Sequence, residues 1–104
     1  MEKENVIVEK SKSFALRIIR LYHYLCGEKN EYILSKQLLR SGTSIGANVK
    51  EAIRGQSKAD FYAKMNISLK ESSETEYWLE LLHESGYIAV SYTHLRAHET
   101  RHDL

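Results

Sequence analysis

Apolar side chains recur every three or four residues along three long segments of this sequence, and this spacing limits its fold more than any other feature. Such spacing is the period of one helix face, whereas a half-buried strand alternates every second residue. The chain also has no proline and only five glycines in 104 residues, so little interrupts a helix. The pattern therefore predicts an all-α protein.

We expect three helices joined by short polar links. The predicted helices cover about residues 11–26, 32–54 and 58–85. Gly27, Gly55 and Gly86 each follow the end of one apolar pattern, a position where glycine is common. Because the links are short, consecutive helices should pack antiparallel in an up-down bundle. We assign this single domain to residues 1–88, since a chain of this length allows only one.

Two glycines, Gly42 and Gly46, lie inside the second predicted helix. Glycine in a helix interior costs about 1 kcal/mol relative to alanine, so the pair suggests that another backbone passes close by. A break into two shorter helices is the alternative. The apolar stripe continues in phase across the segment, which favours one helix. The residues that we assign to helix packing or oligomer contact are Ser41, Gly42, Ser44, Gly46, Asn48 and Trp78.

Charge is unevenly distributed along the chain. Residues 1–70 hold 13 Lys or Arg against 7 Asp or Glu, whereas residues 71–88 hold five Glu and no Lys or Arg. The basic residues that could form one patch are Arg17, Arg20, Lys36, Arg40, Lys50, Arg54, Lys58 and Lys64. Such a patch predicts binding to a nucleic-acid backbone without sequence specificity. A solvated face that keeps the protein soluble is the alternative.

Two stretches resemble a known family. Residues 38–52 read Leu-Leu-Arg-Ser-Gly-Thr-Ser-Ile-Gly-Ala-Asn-Val-Lys-Glu-Ala and resemble the core motif of the small four helix bundle protein family. Its members include S23-type proteins encoded within intervening sequences of bacterial 23S rRNA genes. Residues 70–82 are similar to the third helix of that family, and the resemblance covers about residues 11–88.

The resemblance implies a four-helix bundle whose fourth helix follows residues 86–88. The family is similar to the accessory variability protein of diversity-generating retroelements. That protein forms a homopentamer, binds nucleic acid and associates with a reverse transcriptase. By resemblance we therefore expect a homo-oligomer, which is a pentamer when the fourth helix is present, with nucleic acid and a reverse transcriptase as partners. A protein-interaction or scaffold module with no direct nucleic-acid role is the alternative.

Residues 89–104 differ from the rest of the chain. Residues 90–100 read Val-Ser-Tyr-Thr-His-Leu-Arg-Ala-His-Glu-Thr and show no periodicity. They can be back-translated into a string that resembles a transposase adapter used to prepare sequencing libraries. We therefore expect natural sequence to end near Ile88 and adapter read-through to follow, in place of the fourth helix. The alternative is a metal site formed by three histidines at a spacing of four residues, namely His94, His98 and His102.

Little in the sequence indicates catalysis. Glu80 and His83 form a Glu-x-x-His motif, but a di-iron bundle needs a second copy and two more inward glutamates. We therefore expect no enzyme, cofactor or metal. Cys26 is the only cysteine, so no intrachain disulfide is expected and the compartment should be reducing. No uncharged apolar run approaches the length of a bilayer span, so we expect a cytoplasmic protein with no membrane partner.

Overall fold

The protein is described by a computed structural model that covers residues 2–89, with side chains from Val6 onward. Its three helices are α1 (Glu2–Gly27), α2 (Leu34–Arg54) and α3 (Lys58–Glu84), and residues 2–89 contain no strand. The all-α prediction is therefore confirmed. The predicted adapter segment, its three histidines and the fourth helix lie outside the described residues apart from Ala89, so they stay predictions.

Helix α1 begins at Glu2, nine residues before the predicted start at about Ser11. The sequence favoured a later start because Val6, Ile7 and Val8 are β-branched and lower helix propensity. Ile7 and Val8 are partly buried in the structure, and Val8 lies beside α2. Tertiary packing of one helix face supplies more stability than intrinsic propensity, so the helix continues through this run.

Helix α2 is continuous from Leu34 to Arg54, so the alternative of a break at the two glycines is wrong. Its N-terminus is capped by Glu31, whose carboxylate accepts hydrogen bonds from the backbone N–H groups of Ile33, Leu34 and Ser35 at 3.3, 3.1 and 2.8 Å. The first N–H groups of a helix have no partner inside it, and a carboxylate there also favours the helix dipole. Glu31 thus fixes the start of α2.

Helix α3 begins with the capping arrangement that its sequence predicts, because the Ser57 hydroxyl accepts from the backbone N–H of Asp60 at 3.1 Å. Its last residue is Glu84, and Gly86 follows two residues later with a φ of 87°. The N–H of Gly86 donates to the His83 carbonyl at 3.0 Å, and that of Tyr87 donates to the Leu82 carbonyl at 2.8 Å. This pair of bonds is a Schellman motif, in which a left-handed residue satisfies the last carbonyls.

The predicted cap at Gly27 is wrong. Gly27 is the last residue of α1 itself, and the positive φ after this helix, 54°, belongs to Asn30. Asparagine is among the few residues other than glycine that adopt this conformation readily. Gly55 does follow α2, but in an extended conformation with a φ of −62°. The polar link therefore turns at Asn30.

Helix α2 packs against both neighbours, and the register of the contacts shows that both pairs are antiparallel. Gly42 and then Gly46 of α2 face Ile18 and then Ser11 of α1. Ser41 and then Ile45 of α2 bond to Thr75 and then Ser68 of α3. The core cluster that lies between the helices consists of Phe14, Ile18, Leu21, Leu25, Leu38, Ile45, Leu79, Leu82 and Ile88. The predicted up-down arrangement of three helices is confirmed.

Candidate nucleic-acid interface

The two glycines of α2 set how closely α1 approaches. A Cβ built on Gly42 would lie 2.9 Å from both Cγ1 and Cγ2 of Ile18. A Cβ on Gly46 would lie 3.3 to 3.4 Å from Ser11, including its backbone carbonyl. Any side chain at Gly42 would therefore have to move Ile18 in the core. The close approach brings the outward edges of α1 and α2 next to each other.

On its other side, α2 contacts α3 through small side chains that carry hydroxyl groups. The hydroxyls of Thr75 and Ser41 lie 2.9 Å apart, and both residues are fully buried. The Ser68 hydroxyl donates to the backbone carbonyl of Ile45 at 3.0 Å. Asn48, which we assign to helix packing or oligomer contact, donates to the Ser44 carbonyl of its own helix at 2.9 Å. A polar seam thus joins α2 to α3 in a fixed register.

Arg40 is held in an ion-pair cluster across the same two helices. Its Nη1 donates to Glu71 Oε2 at 2.9 Å and its Nη2 donates to Glu71 Oε1 at 3.3 Å and to Glu74 Oε2. The indole N–H of Trp78 donates to the same Glu74 oxygen at 3.0 Å. Hydrogen bonds from Trp78 and then Arg40 lower the pKa of Glu74, and those to Glu71 and Glu74 raise the pKa of Arg40. The positive charge of Arg40 is thus neutralised by glutamates of the same chain.

Three other basic residues of α2 face solvent without such a partner. Lys36, Lys50 and Arg54 are exposed and recur at 14 and 4 residues, which places them along one line of the helix. Among the described residues, none of the three forms an ion pair. We call Lys36, Lys50 and Arg54 the basic face of α2. Its charge is available to a polyanion.

The remaining predicted residues do not join this face as one patch. Lys64 forms an ion pair with Glu51 at 2.9 Å. Arg17 and Arg20 lie on α1, where Arg17 is partly buried and Arg20 is exposed. Lys58 is exposed at the start of α3. The structure therefore separates the eight predicted residues into the three of the basic face, two that form ion pairs with glutamates of the chain, and three at other positions on α1 and α3.

A surface groove of about 360 Å³ runs between α1 and α2 beside the basic face. Its lining residues are Val8, Glu9, Ser11, Lys12, Ala15, Thr43, Gly46, Ala47 and Lys50. Lys12 and Lys50 come from opposite walls, and Glu9 is the one acidic residue in the lining. We call this the α1/α2 groove. Within it, Gly46 lies close against α1, since a Cβ on this residue would lie 3.3 Å from the Ser11 hydroxyl.

A second depression near the same end of the bundle differs in charge. It lies between α2 and α3, and its lining includes Arg54 and Lys64 together with Glu51 and Asp60. The two basic and two acidic residues balance, whereas the α1/α2 groove has two lysines and one glutamate. The groove is thus the more basic of these two depressions.

Sequence reasoning did not single out Lys12 or Glu31. Lys12 and Lys50 line the same groove only because of the register in which α1 packs against α2. The apolar period of a single helix does not specify that register. Glu31 falls four residues before Ser35, which is not the spacing of a capping box, so no sequence signal marked it as a cap. The polar seam could not be predicted either, because Ser41 and Thr75 are 34 residues apart and meet only when α2 packs against α3.

Comparison with known proteins decides the family. The sequence model of the family described as 23S rRNA-intervening sequence protein matches residues 3–101. The chain belongs to this family. The match agrees with the resemblance carried by residues 38–52 and 70–82. It also reaches beyond Ala89, into the segment for which we predict an adapter origin.

A solved structure is similar to this family member over nearly its whole length. It is the 1.70 Å crystal structure of a protein with unknown function from the S23 ribosomal protein family of Bacteroides thetaiotaomicron. The two chains are 50% identical, with a TM-score of 0.93, and the similarity covers 97% of this chain and 90% of the other. A search of curated proteins found no significant match.

Two further structural findings concern the described part of the chain. No helix formed by residues 2–89 has the length and apolar character needed to cross a membrane. No group of three His, Cys, Asp or Glu side chains there is arranged to hold a metal ion. Within residues 2–89, Glu80 and His83 are therefore not joined by the further ligands that a di-iron site needs.

Proposed function

We propose that this family member is a cytoplasmic, non-enzymatic protein that binds nucleic acid through the basic face of α2 without sequence specificity. The observation that supports the proposal is that the basic residues of α2 differ in whether a carboxylate neutralises them. Arg40 is neutralised by Glu71 and Glu74, whereas Lys36, Lys50 and Arg54 have no carboxylate partner among the described residues. Exposed cations along one line suit a phosphate backbone, because binding releases counterions from the nucleic acid.

The length of the basic face suggests a site of modest size. Lys36 and Arg54 lie 18 residues apart on one straight helix. That distance is about 27 Å at 1.5 Å per residue. It corresponds to roughly eight base pairs at the 3.4 Å spacing of phosphates along one strand. No recognition helix or zinc-binding pattern accompanies these cations, so contacts to bases are not part of the proposal.

We also propose that the protein acts as a homo-oligomer, which would repeat the basic face around an assembly. The exposed apolar residues Tyr62, Ile67 and Leu69 of α3 support this, being 63, 40 and 43% exposed. Such side chains are candidates for contact with another copy. Size-exclusion chromatography with light scattering measures the mass, and a monomer at micromolar concentration would contradict the oligomer.

Fluorescence anisotropy with labelled 20-nucleotide RNA, DNA and duplex probes tests nucleic-acid binding. We expect affinity for all three probes to fall steeply between about 50 and 200 mM salt. The double variant K36E/R54E should lose binding, since it reverses two charges of the basic face. The proposal would be contradicted if the wild-type protein does not bind at low salt, or if its affinity does not depend on the salt concentration.

A second function rests on a different surface. Ile33 is 77% exposed and Tyr32 is 51% exposed just before α2, and Tyr77 is 53% exposed towards the end of α3. Because α2 and α3 are antiparallel, these residues lie towards the same end of the bundle. They could anchor a protein partner such as a reverse transcriptase, with no nucleic-acid role for the basic face. Partner binding that survives K36E/R54E but is lost in I33D would favour this function.

A further inference from the structure

The α1/α2 groove combines a concave shape with two cations that face it from different helices. Lys50 belongs to the basic face of α2, and Lys12 extends the positive charge across to α1. Both residues are exposed, and neither forms an ion pair with another described residue. An anionic group that enters the groove would therefore meet a lysine from each of the two helices, and hydrogen bonds between ionised groups are stronger than neutral ones.

We infer that the α1/α2 groove is the phosphate-binding subsite of this protein, with Lys12 and Lys50 as the residues that clasp a phosphodiester group. The inference rests on the proposed nucleic-acid binding and adds where the backbone enters. Gly46 and Ala47 line the groove with little side-chain bulk, which leaves room for a phosphate beside the two lysines. The hydroxyls of Ser11 and Thr43 already donate to the Val8 and Leu39 carbonyls, so the charge of the lysines carries the recognition.

Glu9 should lower the affinity of the groove for a phosphate group. It lines the same groove as the two lysines, and its negative charge opposes a bound phosphate. E9Q should therefore bind nucleic acid more tightly than the wild-type protein, whereas removal of a glutamate charge far from the groove should raise affinity much less. A gain of affinity is also a result that misfolding does not produce.

The main test places a new negative charge inside the groove and compares it with a matched change outside. Ala47 is an exposed alanine that lines the groove, and Ala63 is an exposed alanine that lines the charge-balanced depression between α2 and α3. A47E and A63E change the net charge equally. We expect A47E to weaken binding of the 20-nucleotide probes about tenfold or more at low salt, and A63E to weaken it much less.

Removal of the lysines provides the second arm. K12Q and K50Q should each weaken binding about threefold at low salt and reduce the slope of log affinity against log salt by about one. K64Q is the control, because it removes the same charge from a lysine that is paired with Glu51. Circular dichroism and thermal melts confirm that each variant keeps the fold, which we expect because the substituted residues are exposed or partly buried.

The outcomes separate the groove from the proposed function. If the wild-type protein binds but A47E matches A63E, and K12Q and K50Q match K64Q, the groove is not the subsite while the function stands. If the wild-type protein binds none of the probes, the function itself fails. Loss of binding confined to RNA probes in K12Q and K50Q would support the groove and identify RNA as its ligand, and loss with DNA as well would support a site for either backbone.

Discussion

Ile18 of α1 occupies the space that a side chain on Gly42 of α2 would need. A Cβ at Gly42 would lie 2.9 Å from both γ carbons of Ile18, closer than such atoms are found in proteins. Ile18 is only 3% exposed and belongs to the core, so it has little freedom to move. The contact fixes the distance between α1 and α2, and with it the width of the α1/α2 groove.

The first prediction concerns this contact. G42A should destabilise the protein by up to about 2 kcal/mol, because a strained contact of about 1–3 kcal/mol opposes a gain of about 1 kcal/mol in helix propensity. Urea denaturation followed by circular dichroism measures the free energy of unfolding.

G27A is the matched control for G42A. Gly27 also lies in a helix, but a Cβ there would have no atom within 4 Å. We expect G27A to be neutral or slightly stabilising, since only the propensity term acts. If both variants prove equally stable, the close approach of α1 at Gly42 is wrong.

Some of this arrangement could be predicted from the sequence, and some could not. The glycine pair indicated a close helix contact, and the in-phase apolar stripe indicated that α2 continues through it, because both signals are local. The partners of these glycines, Ile18 and Ser11, could not be named, because a helical period does not specify the register of one helix against another. For the same reason the neutralisation of Arg40 by Glu71 was not foreseen.

The second prediction concerns the buried hydroxyl pair of α2 and α3. T75V should destabilise the protein by about 1–2 kcal/mol, because Ser41 loses its buried partner at 2.9 Å while the side-chain shape is kept. The double variant S41A/T75V should cost less than the sum of the two single variants, since it leaves no hydroxyl unpaired. Strictly additive free energies of unfolding would contradict a direct bond between the two hydroxyls.

The third prediction separates structural from binding cations. R40Q breaks the ion pairs with Glu71 and Glu74, so it should reduce stability by up to about 1 kcal/mol, and less at high salt. Its affinity for nucleic acid should remain close to that of K64Q, because neither cation belongs to the basic face. K36Q is the comparison on the same helix and should weaken binding while leaving stability unchanged. Equal losses of affinity in R40Q and K36Q would show that Arg40 also contacts the ligand.

The fourth prediction follows from Glu74, whose pKa is lowered by hydrogen bonds from Trp78 and then from Arg40. A carboxyl group with a lower pKa in the folded state adds stability that is fully present above its unfolded pKa of about 4.3. This contribution should disappear as the pH falls from about 4.3 through the lower folded value. Thermal melts between pH 7 and pH 3 should therefore show a smaller acid-induced loss in E74Q than in the wild-type protein. An identical loss in both proteins would contradict a role for Glu74 in acid sensitivity.

The last prediction concerns the sequence after Ile88. We expect resequencing of the source locus across codon 88, with a library prepared without the transposase adapter, to replace residues 89–104 with an amphipathic segment able to form a fourth helix. The reason is that residues 90–100 lack periodicity and can be back-translated into adapter sequence, whereas the preceding 88 residues follow the helical pattern closely. Recovery of the same codons for Val90 to Leu104 would show that the adapter origin is wrong. His94, His98 and His102 would then be native residues, and zinc binding by the full chain would be the next measurement, because histidines four residues apart share a helix face.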